Sequence, residues 1–369
     1  MWNETISVDD NTIRRETRFP ASTGDWILSG PHIHIANPMF KTPRAICTAN
    51  GHYDPLDLTA LPADYLPRTN YVPNCDADTY RERTPRVDWW YYPRIVEYYR
   101  FVNREMLSQS GERTLLPTII PPGAGQVHTI FSIIFEQPWS LLDFASMAVS
   151  LVSDFRVKST GTGHANKTLL EQLPILADIR LRPAMHSRIL MLVGLTKHYA
   201  DLWRHCWQNG FRSQQWSKRD PRIDNARFAC LSPEWRWDFS LRTDYERRQA
   251  LVEIDVLAAR TLGLTLDELR SMYRIQFPVL QQNESDTWYD QRGRIVFTCS
   301  KALPGIGFSR PEWQKIKGLA SGVVTRRIQD DTLPSGSRER VIEYVAPFDR
   351  CDREDDYATA WKFFDEAGV

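Results

Sequence analysis

Guanidinium groups interleaved with aromatic rings are the chemistry this sequence carries most densely. Between residues 80 and 104, Arg81, Arg83, Arg86, Arg94, Arg100 and Arg104 stand against Glu82, Asp88 and Glu97. Between residues 211 and 227, Arg212, Lys218, Arg219, Arg222 and Arg227 stand with Trp216 against Asp220 and Asp224. Both stretches are net positive. The planar fork of arginine matches phosphate oxygens and the guanine edge, which makes Arg94, Arg212, Trp216, Lys218, Arg219 and Arg222 candidate DNA contacts. A solvated, salt-paired protein face gives the same pattern, so both readings stand at this level. A third candidate is the segment Gly161-Thr162-Gly163, flanked by Arg156, Lys158 and Lys167. Small residues let backbone amides approach phosphate, so Gly161 and Gly163 fit a DNA-contacting loop. Plain turn geometry is the alternative.

Other chemistries are weakly written. The glycine pairs 123–125, 161–163 and 305–307 complete neither G-x-G-x-x-G nor a Walker loop, which argues against nucleotide binding. His32 and His34 would place two imidazoles on one face of a strand, but spacing supplies no third ligand, and no metal is expected. Glu312, Lys315 and the cluster Glu354-Asp355-Asp356 lack a strand-borne aspartate ahead of them and read as solvated surface rather than nuclease parts. The six cysteines, scattered with no C-x-x-C pair, read as reduced and mostly buried thiols.

The elements that must position these groups are partly legible. Residues 1–85 carry turn signals such as Asn50-Gly51, Asp54-Pro55 and Val72-Pro73, and are expected to form a connecting segment of short elements. Ile95, Tyr98, Tyr99, Val102 and Met106 at helical spacing predict a helix over residues 94–107. RTLLPTII and VHTIFSIIF predict two strands joined by the Pro121–Gly125 turn. A helix over 141–150, a strand over 154–158, a loop over 159–164 and a helical region over 184–209 are expected next. Thr243-Asp244-Tyr245-Glu246 and Thr265-Leu266-Asp267-Glu268 are capping boxes that open helices over 244–261 and 266–275, the first ended by Gly263 and the second stopped by Pro278. A final helix is expected near 357–366. The fold class is α+β: a mixed-sheet domain over 86–240, a helical pair over 241–280, a mixed C-terminal domain over 281–369, and the N-terminal extension.

Composition bounds the rest. The chain of 369 residues balances 46 basic against 46 acidic residues, so nucleic-acid contact would need local patches. No run of about 18 apolar residues occurs, and the opening MWNETISVDD has neither the positive flank nor the apolar stretch of a signal peptide, so a cytoplasmic protein with no membrane partner is expected. Aromatics make up 12% of residues, which serves either a well-packed core or stacking against bases.

Several stretches carry a family likeness: DWILSGPHIHIANPMFKTPR (25–44), TANGHYDPLD (48–57), YLPRTNY (65–71), MLSQSGER (106–113), residues 277–300 and YVAPFDRCDREDDY (344–357). In these the chain resembles, over nearly its whole length, the C-terminal target-recognition region of the Eco57I-like class I N6-adenine DNA methyltransferases of restriction-modification and phage-defence systems. The resemblance implies a DNA-reading role, with double-stranded DNA and a methyltransferase catalytic domain or subunit as partners. Within it, residues 158–174 look like the passage from sheet and loop into a following helix, and residues 247–277 like a shared helical element. Asn37-Pro38-Met39-Phe40 is similar to the Asn-Pro-Pro-aromatic tetrad that holds a flipped adenine, which makes Asn37 and Phe40 weak catalytic candidates. The second proline is missing, and nothing upstream supplies the glycine-rich loop for S-adenosylmethionine. That cofactor is therefore expected in the complete enzyme and not in this chain, whether the chain is a split subunit, a truncation or a fragment. Two alternatives remain at this level. One is a stand-alone non-canonical adenine methyltransferase. The other is an architectural subunit of a phage-defence complex, favoured if the arginine-rich stretches are salt-bridged internally.

Overall fold

Proline and short polar residues keep the elements of the first eighty-five residues brief. Helix α1 (Glu4–Asp9) starts at Asn3, whose side chain accepts from the amides of Thr5 and Ile6. Strands β1 (Ile13–Arg18), β2 (Ile27–Leu28), β3 (Lys41–Pro43), β4 (Tyr53–Pro55) and β5 (Thr69–Pro73) precede helix α2 (Ala77–Arg83). β1 pairs antiparallel with β5, and β3 with β4. The computed structural model describes residues 1–49, 51–301 and 307–368. Asn50, of the Asn50-Gly51 turn, and Gly305 and Ile306, of the third glycine pair, lie outside the described residues.

Strands β6 (Arg100–Arg104), β7 (Pro117–Ile120), β8 (Gly125–Gln126) and β9 (Ile130–Ile134) come next. The sheet order is β7-β6-β9, with Phe101 opposite both Ile119 and Ile133. The helix expected over 94–107 is therefore replaced by a short 3-10 turn at Ile95–Glu97 and the central strand of this sheet. Arg100, Phe101, Val102 and Asn103 are all buried, so no alternation marks the strand, and its β-branched and aromatic residues happen to fall at helical spacing. The two strands expected on either side of Pro121 do form, but as neighbours of β6 and not of each other. β8 instead pairs parallel with β2, which ties the N-terminal segment to the sheet.

Helices dominate from there: α3 (Pro138–Ala148), α4 (Leu151–Ser159), α5 (Lys167–Leu170), α6 (Arg182–Val193), α7 (Ala200–His205), α8 (Arg227–Cys230), α9 (Asp244–Thr261), α10 (Leu266–Gln276) and α11 (Pro278–Ser285). The strand expected over 154–158 is the body of α4. Ser150 caps this helix by accepting from the Ser153 amide, a local signal that outweighs the β-branched residues. Both capping boxes form, with Thr243 exchanging hydrogen bonds with Glu246 and Thr265 with Glu268. Gly263 takes φ +72° just beyond α9. Pro278 ends α10 and also supplies the first turn of α11, where its missing amide costs nothing.

β10 (Trp288–Tyr289), β11 (Ile295–Phe297), α12 (Arg310–Ile316), β12 (Gly322–Asp330), β13 (Arg338–Ala346) and α13 (Arg353–Glu366) complete the chain. The architecture is mixed α+β, with several small sheets packed on helices. Helix α9 lies at its centre, buried from Tyr245 to Ala259 except at Leu251, with α3, α4, α6, α10 and α13 against it. The main hydrophobic cluster runs from Ile35 and Leu58 through Phe101 and the helices to Phe364, so the N-terminal segment and the last helix share one core. All six cysteines are free thiols; Cys47 and Cys206 are buried, whereas Cys230 and Cys299 are exposed, contrary to mostly buried thiols. Among the described residues no helix is long and apolar enough to cross a membrane.

Candidate functional site

The loop between β2 and β3 is held in a sharp turn. His34 and Asn37 exchange backbone hydrogen bonds at 2.9 and 3.0 Å, and Ala36 takes φ +48°, a conformation of roughly 1–2 kcal/mol cost for a residue with a Cβ. Two outside anchors hold it there: the Ala36 amide donates to Pro117 O at 2.8 Å, and Arg247 Nη2 donates to Ala36 O at 2.8 Å. The turn stacks the rings of His34 and Phe40 with centroids 4.6 Å apart, and Lys41 Nζ lies 5.0 Å from the Phe40 centroid.

This turn separates two hollows. Outside it lies a cleft of about 800 Å³ whose walls carry Arg15, Lys41, Arg104, Arg113 and Lys301 against Glu4 and Glu112. Arg113 is neutralised by Asp154 at 2.6 Å, and Arg104 Nη2 is held by Ile33 O at 2.7 Å. Arg15, Lys41 and Lys301 form no ion pair among the described residues; Arg15 Nη2 donates to Cys47 O at 3.2 Å. Burial, then Arg104, lowers the Lys41 pKa below its ordinary range.

Inside the turn lies a cavity of about 160 Å³, where a single water needs roughly 10–15 Å³ on the same measure. Its walls combine Ile35, Leu58, Leu251 and Tyr289 with Asn37 and Asp244. His34, Phe40, Glu112 and Arg113 line both hollows, so the two meet at this ring pair. Asp244 is the first residue of α9; its Oδ2 accepts from the Ile295 amide at 3.0 Å. Asp244 keeps accessible surface where it faces this hollow and a smaller one beside it. Burial pushes its pKa up. Burial likewise holds the His34 imidazole neutral, well below its ordinary range, with Arg104 and Arg113 adding to the effect. Burial also raises Glu112, which accepts from Asn283.

Two of the cavity's guanidiniums are ion-paired. Arg248 reaches Glu284 at 2.8 Å and Asp356 at 2.5 Å; Arg353 reaches Glu284 at 2.7 Å and Asp255 at 2.9 Å. Burial opposes ionisation of Glu284, but Arg353 and Arg248 outweigh it and hold the carboxyl at about 2. These pairs position the walls, while Arg248 Nη2 takes no hydrogen bond and Arg247 holds only the carbonyls of Leu192, Leu241 and Ala36.

The DNA-contact candidates divide by placement. Arg94 donates to the carbonyls of Glu82 and Thr84 at the end of α2. Lys158 donates to Gln109 O and Gly111 O at 2.8 and 3.3 Å, Trp216 Nε1 donates to Asp224 O, Lys218 pairs with Asp356 at 2.6 Å, and Arg222 pairs with Asp220 at 2.7 Å. These five are consumed inside the fold and are not presented to a ligand, because each charge or ring stabilises a backbone or helix junction. Arg156 reaches Gln172 and Lys167 pairs with Glu171, both on the surface. Gly161 and Gly163 sit on an exposed turn that leans on the cleft wall: Leu107 donates to Gly163 O at 2.9 Å, and Leu107 lines the cleft. Arg212 and Arg219 are exposed and do not line the cleft. Asn37 and Phe40 line the inner cavity. His32 closes a 3-10 turn and not a strand, with both ring nitrogens hydrogen-bonded to Ser29 and Arg68. Among the described residues no group of three His, Cys, Asp or Glu side chains is arranged for a metal.

No family model, no curated protein and no solved structure matches this chain. The site therefore stands on its own geometry. Residues that sequence reasoning passed over, Arg15, Lys41, Glu112, Asp244 and Lys301, come from five separate segments, and only the capping box at Thr243 marked one of them, as a helix start.

Proposed function

We propose that the chain is the DNA-recognition portion of a site-specific N6-adenine DNA methyltransferase, holding duplex DNA for base flipping and methylation by a separate catalytic domain. The observation that carries the reading is the cleft, where Arg15, Lys41 and Lys301, without ion pairs among the described residues, stand beside the rings of Phe40 and Tyr53, with the Gly161–Gly163 turn buttressing its wall. Cations fix register on phosphates, and rings and amides nearby meet bases. The resemblance of the sequence to target-recognition regions points the same way.

S-adenosylmethionine would supply the methyl group in such an enzyme, and the inner cavity is a poor match for it. Among the described residues no glycine lines the inner cavity to let backbone approach a cofactor, and the buried guanidiniums of Arg248 and Arg353 there hold carboxylates. Asn37 and Phe40 are accordingly assigned no step in methyl transfer.

Fluorescence anisotropy of the chain with a labelled duplex between about 50 and 200 mM salt tests the reading. Affinity is expected to fall steeply with salt, and Lys41→Glu is expected to reduce the salt slope by roughly one. Affinity indifferent to charge reversal at Arg15, Lys41 and Lys301 together overturns it. A second reading, an architectural subunit of a phage-defence complex, is supported by the internal pairing of Arg94, Lys218 and Arg222. Absence of duplex binding at low salt, with and without a catalytic partner, decides for it.

A further inference from the structure

Helix α9 brings two arginines to the inner cavity, and neither is fully used. Arg248 is 7% exposed; its Nε and Nη1 reach Glu284 and Asp356, and its Nη2 takes no hydrogen bond. Arg247 is also buried and forms no ion pair among the described residues; three of its five N–H groups go to the carbonyls of Leu192, Leu241 and Ala36.

The charges around the cavity leave a surplus. Arg248, Arg353 and Lys218 share Glu284, Asp255 and Asp356, three cations on three carboxylates, and Arg113 has Asp154. Asp244 and Glu112 are the other carboxyls on the wall, and burial pushes both towards the uncharged form. The His34 ring is neutral. Arg247 is therefore a buried cation with no fixed counter-charge, which is costly in a dry interior and favours an anion beside it.

The remaining walls describe the other end of that anion. Ile35, Leu58, Leu251, Leu280 and Ile295 are apolar. The Tyr289 hydroxyl lies in the fields of Arg248, Glu284 and Asp244, takes no hydrogen bond among the described residues and can donate one. The cavity of about 160 Å³ takes on the order of ten waters, room for a body of roughly ten non-hydrogen atoms. A bare inorganic anion leaves the apolar walls uncovered, and a neutral apolar molecule leaves Arg247 without its counter-charge.

We propose that the inner cavity holds a small monocarboxylate with an apolar body, the carboxylate accepting from Arg248 and the Tyr289 hydroxyl in the field of Arg247, and the body covering Leu251, Leu280 and Ile295. This goes beyond the reading of the cleft as a nucleic-acid surface and does not depend on it. The cavity meets the cleft at the His34 and Phe40 rings, where Lys41 gives the incoming charge a first attraction.

Calorimetry of the full chain with benzoate and with hexanoate, each compared with its amide, tests this. A saturable signal below about 1 mM is expected for at least one of the acids, with its amide at least about tenfold weaker. Tyr289→Phe, which removes the hydroxyl and keeps the ring, is expected to weaken the acid about tenfold. Leu251→Trp, which fills the cavity, is expected to abolish the signal, whereas Lys41→Glu, on the cleft side, should change it less than about threefold. The comparison of acid with amide needs no variant, so it decides even where Leu251→Trp does not fold.

No saturable signal with either acid overturns the proposal. So does an amide that binds as tightly as its acid, or a signal that folded Leu251→Trp leaves unchanged, which would place the carboxylate outside the cavity. Duplex binding and its salt dependence are read separately by anisotropy, so the reading of the cleft survives each of these failures.

Discussion

His32 is wholly buried, with Nε2 donating to Arg68 O at 2.8 Å and Nδ1 accepting from the Ser29 amide at 3.0 Å, which requires the neutral ring. Burial depresses its pKa to about 4. The unfolded chain takes up this proton below about 6.5 and the folded chain does not, so the contribution is fully present above that value and is lost as pH falls towards 4. Urea melts at pH 7 and pH 5 should differ by about 2 kcal/mol from His32 alone, with His34 acting in the same direction. His32→Gln should flatten the profile; an unchanged slope would mean that the ring is solvated. The sequence marks His32 and His34 as a pair, but not that one is spent on backbone while the other faces a hollow. That difference follows from the turn at Ala36 and its anchors, Pro117 and Arg247, far along the chain.

Among the elements, α9 carries the heaviest electrostatic investment. Glu253 accepts from Arg188 Nε at 2.6 Å, from Ser217 N and Oγ at 2.7 Å and from Gln249 at 2.9 Å, with both Arg188 and Glu253 fully buried. Glu253→Gln leaves the Arg188 guanidinium without its counter-charge and should destabilise by roughly 3–5 kcal/mol in urea unfolding. Thr265→Ala removes a surface capping box and should cost only about 1 kcal/mol, a contrast that checks both assignments. Capping boxes are legible because the reciprocal bonds lie within four residues. The central strand β6 is not, because burial on both faces erases the alternation by which strands announce themselves. α4 is misread for a related reason: Phe155 and Val157 favour a strand, while the cap at Ser150 and the bonds from Asp154 to Thr114 and Leu115 fix a helix.

At the scale of the molecule, α13 fastens the chain. Arg353 bridges Asp255 and Glu284, Asp356 takes Lys218 and Arg248, and Tyr357 and Phe364 enter the main core. A chain ending at residue 350 removes Arg353 from Asp255 and Asp356 from Arg248, so it should lose its cooperative thermal transition and bind a dye for exposed apolar surface. A sharp melt in the truncated chain would show that the last helix is an accessory. The α+β class, the capped helices and the overall balance of charge could all be read from residue order, because propensity, capping and composition act over short spans or over sums. Which arginines remain free for a ligand was decided only by the tertiary structure. A charge meets its partner through space, and here the carboxylate partners of Arg113, Arg248 and Arg353 lie 36 to 108 residues away along the chain.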